Sequence, residues 1–304
     1  MAARLAFIVN PISGTGGQMG GVGALERSVG ELLAARGVSA DLWFTERPGH
    51  ARELAAHASA AGASTVIAWG GDGTVNEVAS TLAFTQTRLG IIPRGSGNGL
   101  ARGLGLPLHT GKALDVALGD GEAIIDVGEL DGRRFVNAAG VGLDAAIAHR
   151  FAADGRMRGL RRYVELTLRE ILSYEARSQL VVADGVRIET RPLLLTLANG
   201  RQFGNGAVIA PAAKLDDGQL DLVIAESRHP LVALLQAPML FLGGATALPG
   251  VTTRRVSHVS ISGAAPIRYH VDGEPGLGGA TIHASVHAGA LRVKVPAATQ
   301  PTNR

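Results

Sequence analysis

Five residues constrain this chain more than any others. They are Gly70-Gly71-Asp72-Gly73-Thr74, standing directly behind the apolar run Thr65-Val66-Ile67-Ala68-Trp69. The run predicts a buried strand. Glycines placed just after it let backbone N–H groups approach a ligand with no Cβ atoms in the way. Residues 75–82 then read as the first turns of a helix. Strand, glycine turn and helix N-terminus together are the geometry that binds phosphate. A carboxylate inside such a turn repels a bare phosphate. Asp72 makes sense there if a divalent metal sits between the two, or if a nucleophile must give up a proton. Its plainer role would be to cap the following helix. The turn points to phosphoryl transfer rather than to phosphate binding alone.

The same pattern recurs through the first 122 residues. Strand patterns at 5–9, 40–44, 65–69 and 88–93 alternate with helical spacing at 22–36 and 49–61. Repeated βα units of this length predict a parallel, doubly wound sheet. Ligands of such sheets bind beyond the carboxyl ends of the strands. Three glycine-rich loops fall at such ends, at 10–17, 70–74 and 95–99. In the last of them, Pro93-Arg94-Gly95-Ser96-Gly97-Asn98-Gly99 sets Ser96 and Asn98 among backbone donors, with Arg94 and Arg102 at hand for charge. Asn10-Pro11 with Ser13-Gly14 is the weakest of the three, equally an ordinary βα turn. None is a Walker P-loop, because GxxxxGK[ST] is absent. The protein-kinase signatures and the GxGxxG dinucleotide fingerprint are absent too.

From about residue 124 the texture changes to many short strand patterns separated by turns such as Asp131-Gly132 and Asp184-Gly185. Strands are expected at 124–130, 133–138, 179–183, 186–190, 193–198, 207–210, 220–225, 256–262, 267–271, 281–286 and 291–295, with helices near 159–174 and 231–242. That spacing predicts an antiparallel sandwich or barrel. The division places an α/β domain at 1–123 and a β-rich domain at 124–287, with 288–300 packing back onto the first. Three acidic features mark the second half. Asp144 follows a strand and a glycine turn. Lys214-Leu215-Asp216-Asp217-Gly218-Gln219-Leu220-Asp221 is a turn suited to a hard cation. Asp272-Gly273-Glu274 ends a strand. Each alone also reads as a solvated hairpin turn, for which Asp-Gly is a preferred sequence.

Composition removes several classes. There is no cysteine, so disulfides, thiolate nucleophiles and Cys-based metal sites are excluded. A net charge of +3 comes with no basic stripe interleaved with aromatics, so a nucleic-acid partner is not expected. No signal peptide is evident at the start of the sequence. The apolar stretch 231–248 contains Gln236, Pro238 and Gly243-Gly244. It falls short of the roughly 20 apolar residues a spanning helix needs. A cytoplasmic protein, at most peripheral to a membrane, is expected. The nine histidines show no HExxH spacing and read as structural. Gly95-Ser96-Gly97 lacks the spacing of a hydrolase elbow.

These motifs, in this order, resemble the diacylglycerol kinase catalytic-domain family, which includes sphingosine kinases and bacterial lipid kinases. They are Asn10-Pro11, Gly70 to Thr74 with Asn76-Glu77, Gly95 to Asn98 with Ala101-Arg102, and Gly142-Leu143-Asp144-Ala145. Asn199-Gly200, Ala210-Pro211 with Asp217-Gly218 and Leu220-Asp221, and Asp272-Gly273-Glu274 complete the set. The resemblance runs from residue 8 to about 295. It implies a nucleotide-binding α/β domain, a C-terminal β-sandwich and an active site in the cleft between them, with ATP and Mg²⁺ as cofactors. It assigns Asn10, Pro11, Thr45, Gly70, Gly71, Asp72, Gly73, Thr74, Glu77, Gly95, Ser96, Gly97 and Asn98 to the nucleotide. Asp72, Asp144 and Glu274 become the catalytic acids. Lys214, Asp217 and Gln219 resemble a structural Mg²⁺ site. Many diacylglycerol kinases carry Thr in the second loop and Asp after its Asn; here Ser96 and Gly99 stand there, closer to sphingosine kinases.

The leading expectation is transfer of the ATP γ-phosphate to a primary lipid hydroxyl at a membrane surface, with Glu274 or Asp72 accepting the proton. The segment 151–172 sets Arg156, Arg158, Arg161 and Arg162 beside apolar residues, as a lipid-docking face or a solvated helix face. A homodimer is compatible with the resemblance. A kinase for NAD or another soluble alcohol, and a non-catalytic nucleotide or lipid sensor, are the alternatives.

Overall fold

In the computed structural model, which describes residues 4–14, 21–154, 169–204, 206–226 and 248–297, the chain divides into two units. The first takes the described residues up to Ile125 and those from Gly289; the second is Asp126–Ala288.

In the first unit, β1 (Leu5–Val9) leads to α1 (Gly21–Ala34), β2 (Asp41–Phe44), α2 (His50–Ala60), β3 (Thr65–Gly70) and α3 (Asp72–Leu82). β4 (Arg88–Pro93), α4 (Gly99–Gly103) and α5 (Thr110–Leu118) follow. The strands form a parallel sheet in the order β2-β1-β3-β4. Parallel strands covered on both faces read as continuous apolar runs, and β3 is buried at every residue. On one face Phe7, Val9, Ile67, Trp69 and Ile92 pack with Val29 and Leu33 of α1 and Leu114 of α5. Ala6, Ile8, Val66, Ala68 and Ile91 alternate with them and are equally buried, and α2 and α3 pack on β1 and β3. The sheet therefore stacks its loops at one edge, the carboxyl ends of its strands.

The second unit starts within β5 (Glu122–Leu130). β6 (Arg133–Phe135), β7 (Ala138–Gly142), α6 (Leu143–Asp154), β8 (Gln179–Ala183), β9 (Val186–Thr190) and β10 (Pro192–Ala198) follow. The short pair β11 (Gln202–Gly204) and β12 (Ala207–Val208) precedes β13 (Leu220–Glu226), β14 (Val251–Val256), β15 (His258–Gly263), β16 (Ile267–Val271), β17 (Glu274–Gly278) and β18 (Thr281–Lys294). One antiparallel sheet runs β14-β13-β10-β7-β16-β17. The other pairs β18, β15, β8 and β9, also antiparallel. Their facing residues, among them Val141, Leu195, Leu222, Val181, Ile261 and Ile282, share one core. This is a β-sandwich. Its hairpins close on Asp131-Gly132, Asp184-Gly185 and Asp272-Gly273, both residues at positive φ in each. That is the turn whose twist matches paired strands.

The last strand returns to the first unit, where Val293 pairs in parallel with Leu89 of β4. The expected strands at 281–286 and 291–295 are thus one strand, β18. The expected strand at 133–138 is two, because the Asp272 carboxylate takes the N–H groups of Val136, Asn137 and Ala138 that a ladder would use. The helix expected from residue 75 begins at Asp72. The expected helix at 231–242, the apolar stretch at 231–247, Arg156 to Arg162, residues 15–17 and most of the helix expected at 159–174 lie outside the described residues. Among the described residues no helix is long and apolar enough to cross a membrane.

Candidate functional site

The glycine turns of the first unit hold each other. Gly71 is the N-cap of α3 and offers no side chain to cap it, so the opening N–H groups of the helix are left for an anion. Asp72 does not cap α3. Its carboxylate turns to the neighbouring loop, where Oδ2 accepts the N–H of Asn98 at 2.8 Å and Oδ1 that of Gly99 at 2.7 Å. This is a third reason for a carboxylate in a phosphate turn: two backbone donors balance its charge without any metal. Asn98 sits in the left-handed region at φ 51 and grips Gly95 at both ends. Its Oδ1 accepts the Gly95 N–H at 2.9 Å and its Nδ2 donates to the Gly95 carbonyl at 2.7 Å. The backbones then touch: a Cβ on Gly95 would fall 2.8 Å from the Gly71 Cα.

Asn10 joins the first loop to this pair. Its Nδ2 donates to Thr74 Oγ1 at 3.0 Å and its Oδ1 accepts the Ile12 N–H at 3.1 Å. Arg102 Nε donates to the Gly97 carbonyl at 3.0 Å. Glu77 reaches back from α3 to accept the Gly49 N–H at 2.9 Å, while the Thr45 N–H bonds to Val9. Of the expected nucleotide residues, Asn10 is bonded to Thr74, Asp72 to Asn98 and Asn98 to Gly95, with Gly71 in backbone contact with Gly95; Gly70 and Gly97 are held by Arg94 and Arg102 in the same two turns. Pro11, Gly73 and Ser96 lie within these loops, and Thr45 and Glu77 secure the adjoining one. A cradle with no room for a Cβ, facing an uncapped helix start, fits a nucleotide phosphate.

Asp144 and Glu274 belong to the second unit. Asp144 opens α6, with His270 Nε2 at 3.2 Å and Thr196 Oγ1 at 3.3 Å from its Oδ2. The Ala145 N–H donates to its Oδ1 at 2.8 Å. A Cβ on Gly140 would fall 2.2 Å from that carboxylate, so only glycine fits beneath it. Burial, and then the charge of Asp144, push the Tyr174 hydroxyl up to about 12, so it stays a donor. Asp272 is a structural member of its motif, bound by three backbone N–H groups. Glu274 is exposed at the start of β17.

The turn before β13 is built on carboxylates. Asp126, 2% exposed, accepts the Gly218 N–H at 2.7 Å. Asp217 Oδ1 accepts the Gln219 N–H at 3.2 Å. Burial, and then the charge of Asp217, raise the Asp221 carboxyl above the usual carboxylate range, with Arg255 opposing. Carboxylate oxygens are hard donors of the kind Mg²⁺ takes, and Arg255 stands 3.9 Å from Asp217 Oδ2. Among the described residues no group of three His, Cys, Asp or Glu side chains is poised for a metal, so backbone carbonyls, as at Lys214 and Gln219, would have to complete the set.

Residues 4–130 match the diacylglycerol kinase catalytic domain, and residues 137–295 match the YegS C-terminal NAD kinase beta sandwich-like domain. A protein of Pseudomonas aeruginosa named "Probable lipid kinase YegS-like" is 36% identical over 279 residues, 90% of this chain and 88% of that one. The chain belongs to the diacylglycerol kinase catalytic-domain family. It is therefore a kinase. The crystal structure of a diacylglycerol kinase from Bacillus anthracis has the same fold, with a TM-score of 0.73 at 20% identity over 98% of each chain. An NAD kinase from Archaeoglobus fulgidus, solved in complex with ATP, is more distant, with a TM-score of 0.54 at 13% identity over 96% of this chain and 93% of that one.

His270, Thr196 and Asp126 escaped the sequence reading. Asp126 carries no motif. Strand alternation puts Ile267, Tyr269 and Val271 in the sandwich core and His270 on the other face, and nothing in the sequence marks that His270 is buried there.

Proposed function

We propose that the chain transfers the γ-phosphoryl group of ATP to a primary hydroxyl of a lipid, such as diacylglycerol or a sphingoid base. The observation that carries this reading is the locked pair of glycine turns beside the uncapped start of α3. Phosphoryl transfer asks a protein mainly for positioning and charge stabilisation, and rigid backbone donors supply both. Bound Mg²⁺ would neutralise phosphate oxygens. Asp72 organises the phosphate loops, because both of its oxygens are committed to backbone donors. The second unit serves the acceptor: Asp144 holds the hydroxyl, and Glu274, exposed and without a side-chain partner among the described residues, takes its proton. The lipid oxygen bonds to the γ-phosphorus as the bond from that phosphorus to the β–γ bridging oxygen breaks, and ADP leaves. The names of the curated relatives support a lipid acceptor. The chain meets that acceptor at a membrane surface.

ADP release would be followed with Mg²⁺ and ATP over dispersed diacylglycerol, monoacylglycerol, sphingosine, ceramide and phosphatidylglycerol, with NAD beside them and Asp72→Ala as control. Turnover on a lipid that disappears in the variant supports the reading. Turnover on NAD alone would move the enzyme to a soluble acceptor.

A further inference from the structure

His270 takes no part in the reaction as written above, and its surroundings are too specific for a filler. α6 packs on β16, so the imidazole is only 4% exposed although it faces away from the sandwich core. Both ring nitrogens are used. Nδ1 stands 3.3 Å from the backbone nitrogen of Gly273, and a backbone N–H can only donate. Nδ1 is therefore the acceptor, and the proton sits on Nε2, which donates to Asp144 Oδ2 at 3.2 Å. Thr196 Oγ1 donates to the same oxygen. Among the described residues Oδ1 takes only the Ala145 N–H, which leaves it an acceptor position. The Phe203 ring packs against the imidazole with its centroid 6.3 Å away.

We propose that His270 is a positioning residue: its Nε2–H pins Asp144 so that Oδ1 faces the acceptor hydroxyl. The proposal rests on the assignment of Asp144 to that hydroxyl. A purely structural histidine would instead support the Asp272-Gly273 turn through Nδ1. The two roles use different ring atoms, and two amides separate them. Glutamine can place a donor where Nε2 stands; asparagine can place an acceptor where Nδ1 stands.

The test compares H270Q, H270N and D144N in steady-state kinetics on the lipid that the wild type phosphorylates. H270Q is expected to keep kcat near wild type. H270N is expected to lose about 100-fold in kcat, the scale of a misplaced reacting group, with KM for ATP unchanged. An active H270N beside an inactive H270Q would assign His270 to the turn and overturn the proposal. Full activity in both histidine variants with an inactive D144N would overturn it while leaving Asp144 in place; an active D144N would remove the acceptor assignment itself. Imidazole nitrogen NMR of the folded wild type gives an independent reading. An Nε2–H tautomer whose proton signal moves in D144N supports the proposal, and an Nδ1–H tautomer overturns it.

Discussion

Asn98 does more with one side chain than any other residue of the phosphate loops. It holds Gly95 at both ends and adopts a backbone conformation that asparagine tolerates and alanine does not. Replacing it with alanine loses both bonds and adds strain of about 1–2 kcal/mol, whereas glycine loses only the bonds. Calorimetric titration with ATP is expected to show weaker binding in both variants and the larger loss in Asn98→Ala. Asp221 acts in the opposite sense. Burial and the charge of Asp217 raise its carboxyl in the folded state, so the charged form is disfavoured there. Its stability contribution is present below its ordinary range and is lost as pH rises through the raised folded value. In Mg²⁺-free buffer Asp221→Asn should therefore raise the Tm at neutral pH, with the gain vanishing in acid. Added Mg²⁺ should raise the wild-type Tm and do so less in Asp217→Asn. Asp72 stands out in the sequence but its partners do not, because the two N–H groups it binds lie on a loop 26 and 27 residues later.

At the scale of elements, strands were legible where burial covers both faces. β1, β3 and β4 each read as an apolar run with glycines behind it. Legibility failed where a distant side chain decides the local structure. The break between β6 and β7 is made by Asp272, far along the chain, and β17, Glu274–Gly278, contains proline and glycine that argue against a strand. It survives as the outer strand of its sheet, a place where proline is tolerated. Another element-level tie joins the ends of the first unit. Arg88 of β4 and Arg292 of β18 both bind Glu122 at the start of β5. Hydrogen bonds, from Arg88 first and then Arg292, lower the Glu122 carboxyl below its usual range. Its contribution is present above the ordinary carboxylate range and is lost as pH falls through the lowered folded value. Glu122→Gln should lower the Tm modestly at neutral pH, about 1 kcal/mol or less per partly exposed pair. The two melting curves should converge in acid.

At the scale of the whole molecule, the chain leaves its first unit through β5 and comes back through β18. The return is structural. Ala290, Leu291 and Val293 are buried in the first unit, at roughly 2 kcal/mol for each of the larger side chains. A chain ending at Ala288 is expected to lose the cooperative melting of the α/β unit, measured by calorimetry, while amide exchange in β10 and β13 stays slow. This architecture was legible as a change of texture near residue 124 followed by a final strand pattern. The roles of the histidines were not, because His270 acquires its partner only when α6 folds over β16. Phosphoryl transfer from ATP to a lipid hydroxyl would carry label from γ-labelled ATP into the lipid. After incubation with dispersed lipids, the organic phase is extracted and its label counted. Label is expected in a lipid monoester for the wild type and none for Asp72→Ala. Label that stays in the aqueous phase with every lipid, while ATP is consumed in the presence of a soluble alcohol, would contradict that transfer.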